Sequence, residues 1–438
     1  MLNAPVLGDT RESSMRKIPS KLRYAFLYAL LLPLAGCMAE VSSPESESDA
    51  LGLAISPERI VNSRGHEFRR KDLWDPAELG AIEDNARRAV LVDTATLEEV
   101  ADGLRGQMIG PGGRIYVESV PNLELARSFL ADMQTSSITA GTQPEGALAD
   151  LRESGGPGAS EPRRVFGADT RNNSSSTTGW QAAMGFQEQG ASGARIGQHT
   201  MVTAAHNLYS PPAVGDEGWY CRDGSVGFSG CSAYPRWRFG VNGTSGHSNW
   251  IAIGTSATCT AYVSTSFMVL ESGTWTFAKY DYAVLDLSGC SANLFPNGWV
   301  WIGFDAMTNS ELAALHGYTA GYPGRAPCPD LSDGTAGDCP GATNQYSGSW
   351  PNFTGAELFT AGSTSINAGD SEKAYTIKTT LDTTSGQSGG PMYKITSSGD
   401  HLLVGWLSNN GASINRYRRW TSGMYDWVSD RSLFPDDR

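Results

Sequence analysis

The sequence predicts an all-β protein, preceded by a smaller, mainly helical segment. Three observations carry this expectation. Apolar residues three and four apart occur between Asp75 and Met133 and almost nowhere after Val165. Beyond Val165, short β-type runs bounded by turn residues take over. The 438 residues include 51 Gly, 12 Trp and 16 Tyr, a composition suited to many short strands and tight turns.

The chain opens with a positive stretch, Arg16, Lys17, Lys21 and Arg23, followed by the apolar run YAFLYALLLPLAG and Cys37. That run is too short to span a bilayer and is flanked as a signal peptide is. Leu34 to Cys37, L-A-G-C, resembles a bacterial lipobox. The resemblance implies cleavage after residue 36 and lipid on the Cys37 sulfur and its new amine; an ordinary signal peptide ending near a cysteine is the alternative. Met15, opening M-R-K-I-P, is the expected initiator. Residue 38 is Met, not the Asp that often signals inner-membrane retention, so the outer membrane is the expected location. Residues 37–50, polar and acidic, read as a disordered tether.

Residues 51–135 form the helical segment. DPAELGAIEDNARRAV has an Asp-Pro start and helical spacing, TATLEEVADGLRGQM continues it, and NLELARSFLADM predicts a further helix. GRIYVESV between them reads as a strand. Residues 136–164, rich in Gly, Pro, Ser and Ala, read as a linker. Glu161-Pro162-Arg163-Arg164 closes it, so residues 38–164 are either a propeptide cut near Arg163–Val165 or an accessory segment that stays attached.

Residues 165–438 supply the strands, among them ARIGQHTMVTAA, YAVLDL, WVWIGF, AYTIKTTL, PMYKIT and HLLVGWLS; only SGMYDWVSDRS at the end looks helical. No internal repeat is visible, and the texture suits a sandwich or a barrel pair. Seven cysteines minus Cys37 leave an even set, which in an exported chain reads as disulfides. Short loops favour Cys221–Cys231 and Cys328–Cys339, leaving Cys259–Cys290. No C-x-x-C pair points to a zinc ribbon, and no metal or cofactor is expected. A net charge of −13 without a basic tract argues against nucleic acid as a partner.

The chemistry starts from TTSGQSGGPMY, where Ser388 stands between glycines. A hydrolase elbow needs Asp and then His after the serine, on alternating strands and helices. Only His401 follows, and no such alternation precedes. Upstream, MVTAAHNLY places His206 at the end of a β-type run, after two small alanines that leave room for an imidazole. KYDYAVLDL places Asp281 at the head of an apolar strand, where a buried carboxylate can hold an imidazole N–H. The order His206, Asp281, Ser388 is that of the chymotrypsin-type triad.

T-A-A-H, D-Y-A-V-L and G-Q-S-G-G-P together resemble the three signature blocks of chymotrypsin-like serine proteases. VFGADTRNNSSSTTGW, GYPG at Gly321–Gly324 and DTTSGQSGGP resemble the glutamyl-endopeptidase branch, and HLLVGWLSNNG resembles the pocket-wall strand of the wider family. The resemblance covers Val165 to the C-terminus and not residues 38–160. It implies two six-stranded antiparallel barrels with a C-terminal helix, and a serine endopeptidase acting on polypeptides. His206 would be the base, Asp281 its orienting carboxylate and Ser388 the nucleophile, with Gly386 and Ser388 N–H groups as the oxyanion hole. Ser408 matches the serine beside the buried aspartate. Asn207 stands where many relatives carry a bridged cysteine, and Gln387 stands where trypsins carry the aspartate of zymogen activation.

The resemblance places Asp382, Thr383, Leu407, Ser408 and Asn410 around the specificity pocket. Asp382 sits where trypsin selects basic residues, but the glutamyl branch also has Asp there. Leu407 replaces that branch's glutamate-binding histidine, so acidic, basic and other preferences stay open. Two further readings share the fold: an inactive protease-like binding lipoprotein, and an esterase.

Overall fold

The computed structural model describes residues 57–91, 94–136, 172–173, 179–212, 216–241, 246–271, 277–291, 300–323, 359–362, 366–367, 375–379, 381, 383, 386–410 and 415–435. The signal peptide, Cys37, the tether, linker residues 137–164, the Arg163–Val165 junction, Asp382, Cys328 and Cys339 lie outside them.

Local chemistry sets the helix ends. Helix Pro76–Leu91 begins with Pro at its first position, and the Asp75 carboxylate accepts from the Ala77 N–H at 2.8 Å. Helix Leu97–Gly103 opens on a capping box between Thr96 and Glu99. Helix Ser422–Ser429, expected from SGMYDWVSDRS, is capped by the Thr421 hydroxyl. Among the described residues no helix is long and apolar enough to cross a membrane.

The molecule is mostly antiparallel β-sheet, as the sequence predicts. One sheet runs through Arg59–Val61, Glu67–Arg70, Ile115–Glu118, Gly106–Ile109, Thr260–Ser264, Ala283–Asp286, Thr200–Thr203, Ala191–Arg195, Met184–Gln187 and Trp237–Phe239 in spatial order. A second runs through Ile366–Asn367, Thr376–Thr379, Asn415–Arg419, His401–Asn410, Pro391–Ile395, Tyr318–Gly321, Phe359–Gly362 and Asn172–Asn173, and a small third sheet joins Val226–Gly227, Gly218–Tyr220 and Tyr209–Ser210. The short strand Gly303–Phe304 is parallel to Leu402–Leu403; the pairs along both paths are antiparallel. The run ARIGQHTMVTAA, read as one β-type stretch, is a hairpin of Ala191–Arg195 and Thr200–Thr203. Ala283–Asp286 is buried on both faces, which accounts for its unbroken apolar run.

Neither path closes on itself, so the strand pairing does not draw the two six-stranded barrels. In the first sheet the reason is visible. Thr260–Ser264 pairs Ala283–Asp286 on one side, and its other edge pairs Gly106–Ile109. Both edges are therefore used.

The N-terminal segment carries the expected helices, Pro76–Leu91, Leu97–Gly103 and Leu123–Ser136, and more strand than the single one expected at GRIYVESV. It contributes four strands to the first sheet; Trp74, Ile82 and Val117 form a small cluster of their own, and its other buried apolar side chains join the main core. Phe68, Met108, Tyr116 and Phe129 lie in the same buried cluster as Tyr262, Tyr282 and Trp427. Phe68 meets Tyr262 at 5.5 Å between ring centroids, and Phe129 meets Tyr282 at 6.2 Å.

Two disulfides are present: Cys221–Cys231, favoured by its short loop, and Cys259–Cys290, expected as the remaining pair. Both lie against the main core.

Candidate active site

Strand register assembles the first half of the site. Ala283 stands opposite Thr203 in the antiparallel pair of Ala283–Asp286 with Thr200–Thr203. The chain leaving Thr203 and the chain entering Ala283 therefore meet at one end of the sheet. His206 lies just past the first, in the short turn Ala205–Asn207, and Asp281 just before the second. Ala204 and Ala205 are fully buried, and their small size lets the imidazole fold back over the strand ends.

Asp281 is wholly buried and takes three donors. The His206 ring Nδ1 lies 2.8 Å from Oδ2, the His206 backbone N–H donates to Oδ1 at 3.0 Å, and the Ser408 hydroxyl donates to Oδ2 at 2.5 Å. The Trp406 indole N–H donates to the Asp281 carbonyl at 3.1 Å. Burying a carboxylate is costly unless donors satisfy its oxygens, and these do. With Nδ1–H held by Asp281, Nε2 is left as the ring's proton acceptor.

The second half comes from the glycine turn. Gly386 and Gly389 adopt φ of 90° and 79°, in the left-handed region that other residues avoid. Between them Ser388 is partly exposed, while Gln387 beside it is buried. The turn is sewn to both sheets. The Gly389 N–H donates to Leu407 O at 2.7 Å, and the Leu407 N–H donates to Gly390 O at 2.8 Å. From the first sheet, the Ser192 N–H and the Asn207 side-chain amide each donate to Ser388 O at 2.9 Å. The Ser192 hydroxyl donates to Gly386 O at 2.8 Å and accepts from the Tyr322 N–H at 2.8 Å. Asn207 follows His206 directly, so its amide ties the histidine turn to the serine turn. Its amide also donates to the Thr203 hydroxyl at 2.9 Å.

Ser192 and Asn207 are the residues the sequence did not single out as site members. Ser192 sits in an ordinary small-residue run. Asn207 carries no chemical signal of its own in the sequence; its side chain ties the histidine turn to the serine turn.

Gly389 has no room for a side chain. A Cβ there would stand 2.2 Å from the Thr203 hydroxyl, 2.3 Å from Ser192 O and 2.6 Å from the Asn207 amide nitrogen. Gly389→Ala is therefore expected to cost about 1–2 kcal/mol for the left-handed backbone and about 1–3 kcal/mol more for the overlap. Thermal unfolding should show it, with loss of any activity at Ser388. A variant with the parent's melting temperature and rate would overturn this account of the turn.

The other predicted residues are placed as follows. Ser408 turns its hydroxyl to Asp281. Leu407 points the other way, buried with Ile377, Leu381, Met392, Val404 and Tyr417. The pairing of this strand with Asn415–Arg419 is irregular between Leu407 and Asn409. Thr383 is fully buried. Asp382 and the side chain of Asn410 are outside the described residues. His401 is remote from this constellation and stacks on Trp180 at 4.6 Å, with burial holding its pKa below the ordinary value. Among the described residues no group of three or more His, Cys, Asp or Glu side chains converges as metal ligands would.

No protein-family profile matches the chain. It is 25% identical over 279 residues to a Bacillus subtilis (strain 168) protein described as an extracellular metalloprotease, covering 61% of this chain and 69% of that one. Among solved structures it is similar to a Glu endopeptidase, with 16% identity and a TM-score of 0.40 over 60% of this chain and 97% of that one. It is also similar to the protease Anisep from Arthrobacter nicotinovorans, with 14% identity and a TM-score of 0.36 over 60% of this chain and 99% of that one. The antiparallel β class itself is read from the strand pairing described above.

Proposed function

We propose that the protein is an exported serine endopeptidase acting on polypeptides through an acyl-enzyme. The observation that carries this reading is the buried Asp281 carboxylate on His206 Nδ1, beside a glycine turn that presents Ser388. In this mechanism Ser388 Oγ attacks the substrate carbonyl and its proton passes to His206 Nε2. Asp281 holds the tautomer and stabilises the imidazolium, and Ser408 and the His206 N–H keep Asp281 in place. The N–H groups of Gly386 and Ser388 receive the charge that develops on the carbonyl oxygen. Collapse expels the amine, which takes the proton from His206. Water then repeats the sequence and frees the acid. The positive φ of Gly386 and the Ser192 hydroxyl on its carbonyl support a turn held in one conformation before substrate arrives.

A fluorophosphonate, which reacts with an activated serine hydroxyl, tests the reading. The full chain is expected to be labelled on Ser388 and to cleave a denatured protein substrate. Folded protein that takes no label, or takes it on another serine, would refute it. Label without peptide-bond cleavage would favour the esterase reading.

Export and anchoring through a lipidated Cys37 belong to the same proposal, supported by the L-A-G-C sequence after an apolar run. Cys37→Ala is expected to move the protein from the membrane pellet to the soluble fraction. A variant that still sediments with membranes would exclude this anchor.

A further inference from the structure

We infer that residues 57–136 are a permanent part of the folded protein: a cut in the chain between 137 and 171 leaves them bound, as one half of a non-covalent two-chain molecule. The sequence left two fates open for this segment, removal as a propeptide or retention as an appendage. The way it is held favours neither a detachable inhibitor nor a loose spacer.

The first observation is backbone pairing. Gly106–Ile109 adds to the edge of Thr260–Ser264 with Tyr262 opposite Met108, Val263 opposite Gln107 and Ser264 opposite Gly106. This is strand addition, in which main-chain hydrogen bonds join two pieces of chain regardless of covalent continuity. Removing the segment would bare that edge and the rings of Tyr262 and Tyr282.

The second observation is a buried ion pair across the junction. Arg431, just beyond the C-terminal helix, donates to Glu118 at 2.5 Å and to Leu104 O at 2.8 Å. Both side chains are almost completely shielded, at 1% and 3% exposure. Glu118 also accepts from the Gly106 N–H at 2.8 Å and lies 3.1 Å from His66 Nδ1. Separating the two pieces would rehydrate both charges, so the pair fixes how the pieces register on each other, and the backbone pairing and apolar contacts hold them together.

The third observation is the breadth of the polar seam. The Trp427 indole donates to Leu104 O at 3.0 Å, the Arg64 guanidinium to Ser432 O at 2.7 Å, and the Asn62 amide to Asp430 O at 3.0 Å. The Gly423 N–H donates to the Asp132 carboxylate at 2.6 Å. The backbones also touch: a Cβ on Gly113 would stand 1.9 Å from Cys231 O, and one on Gly230 would stand 2.0 Å from Gly113 O. Such close approach needs final packing between the two pieces, not a contact made to be released.

The seam also reaches the site. The Tyr280 hydroxyl, one residue before Asp281, donates to Ala89 O at 3.2 Å, and the Ser63 hydroxyl donates to Asp286 at 2.7 Å. The segment therefore braces both ends of the strand that Asp281 leads into. This part of the inference rests on the proposed triad; the association does not.

The experiment inserts a recognition site for a sequence-specific protease between Gly155 and Gly156 of the full chain and cuts it to completion. The two pieces are expected to elute together in size exclusion under native conditions and to separate only in denaturant. Native separation would overturn the inference. Fluorophosphonate labelling is measured on the same material. Labelling at the uncut rate is the expected result. Labelling that appears only after the N-terminal piece has been stripped away would make the segment an inhibitor and overturn the bracing role. If the pieces co-elute and neither cut nor uncut protein is labelled, the association stands and the serine-protease reading fails.

Discussion

Ser388→Ala is expected to lower kcat by about 10⁶, the scale found when the nucleophile of a triad enzyme is removed. The variant should fold as the parent does, because the turn is held by backbone groups. Ser388 contributes its carbonyl to the Ser192 N–H and the Asn207 amide. Gly389 and Gly390 make the bonds to Leu407. Alanine keeps all of these and removes only Oγ. KM should therefore hold while kcat collapses, and the melting temperature should match the parent's. The residual rate would reflect substrate binding and the oxyanion donors alone. A variant that keeps a substantial fraction of the parent's kcat would show that another group is the nucleophile.

Asp281→Asn is expected to lower kcat by about 10⁴ while leaving the protein folded. The carboxylate offers acceptors on both oxygens, and three donors use them: the ring and backbone N–H groups of His206 and the Ser408 hydroxyl. An amide replaces one of those oxygens with a donor. If its NH₂ faces the ring, His206 must present an unprotonated Nδ1 and carry its proton on Nε2, where it cannot accept one from Ser388. If the NH₂ faces the backbone N–H instead, two donors oppose each other in a buried site, which is also unfavourable. The measurement is kcat per folded molecule, titrated by fluorophosphonate, together with a thermal melt. Were Asp281 purely structural, the melting temperature would fall and the rate per folded molecule would stay.

Much of this was legible in the chain. The Asp-Pro helix start and the C-terminal helix are set by side chains acting on their own neighbours, so a local reading finds them. The Cys221–Cys231 disulfide follows from the short loop it closes, and Cys259–Cys290 was the pair left over. His206, Asp281 and Ser388 were singled out by order and by flanking residues: two alanines before the histidine, an apolar strand after the aspartate, glycines around the serine. The register of Ala283 on Thr203 then accounts for how His206 and Asp281 come together.

Other features could not be read this way. Leu407 was assigned to the substrate pocket from its place beside Ser408. Its side chain is buried among Ile377, Leu381, Met392, Val404 and Tyr417, contacts that no local pattern reports. Ser192 carries no sequence signal, since its role is to bond two carbonyls in a turn almost two hundred residues away.

What the sequence by itself determined is the local material: antiparallel strands in place of helices beyond Val165, the capped helices in front of them, and the residue types and order of the proposed triad. What only the tertiary structure decided is which edges meet. The apolar pattern of the N-terminal segment reported that it has a face to bury and did not report the partner. The bond between Gly106–Ile109 and Thr260–Ser264 is made by backbone groups that every residue carries, so no side-chain pattern encodes it. The same edge pairing replaces barrel closure in the first sheet, seals Arg431 against Glu118, and makes a segment that read as an appendage part of the core.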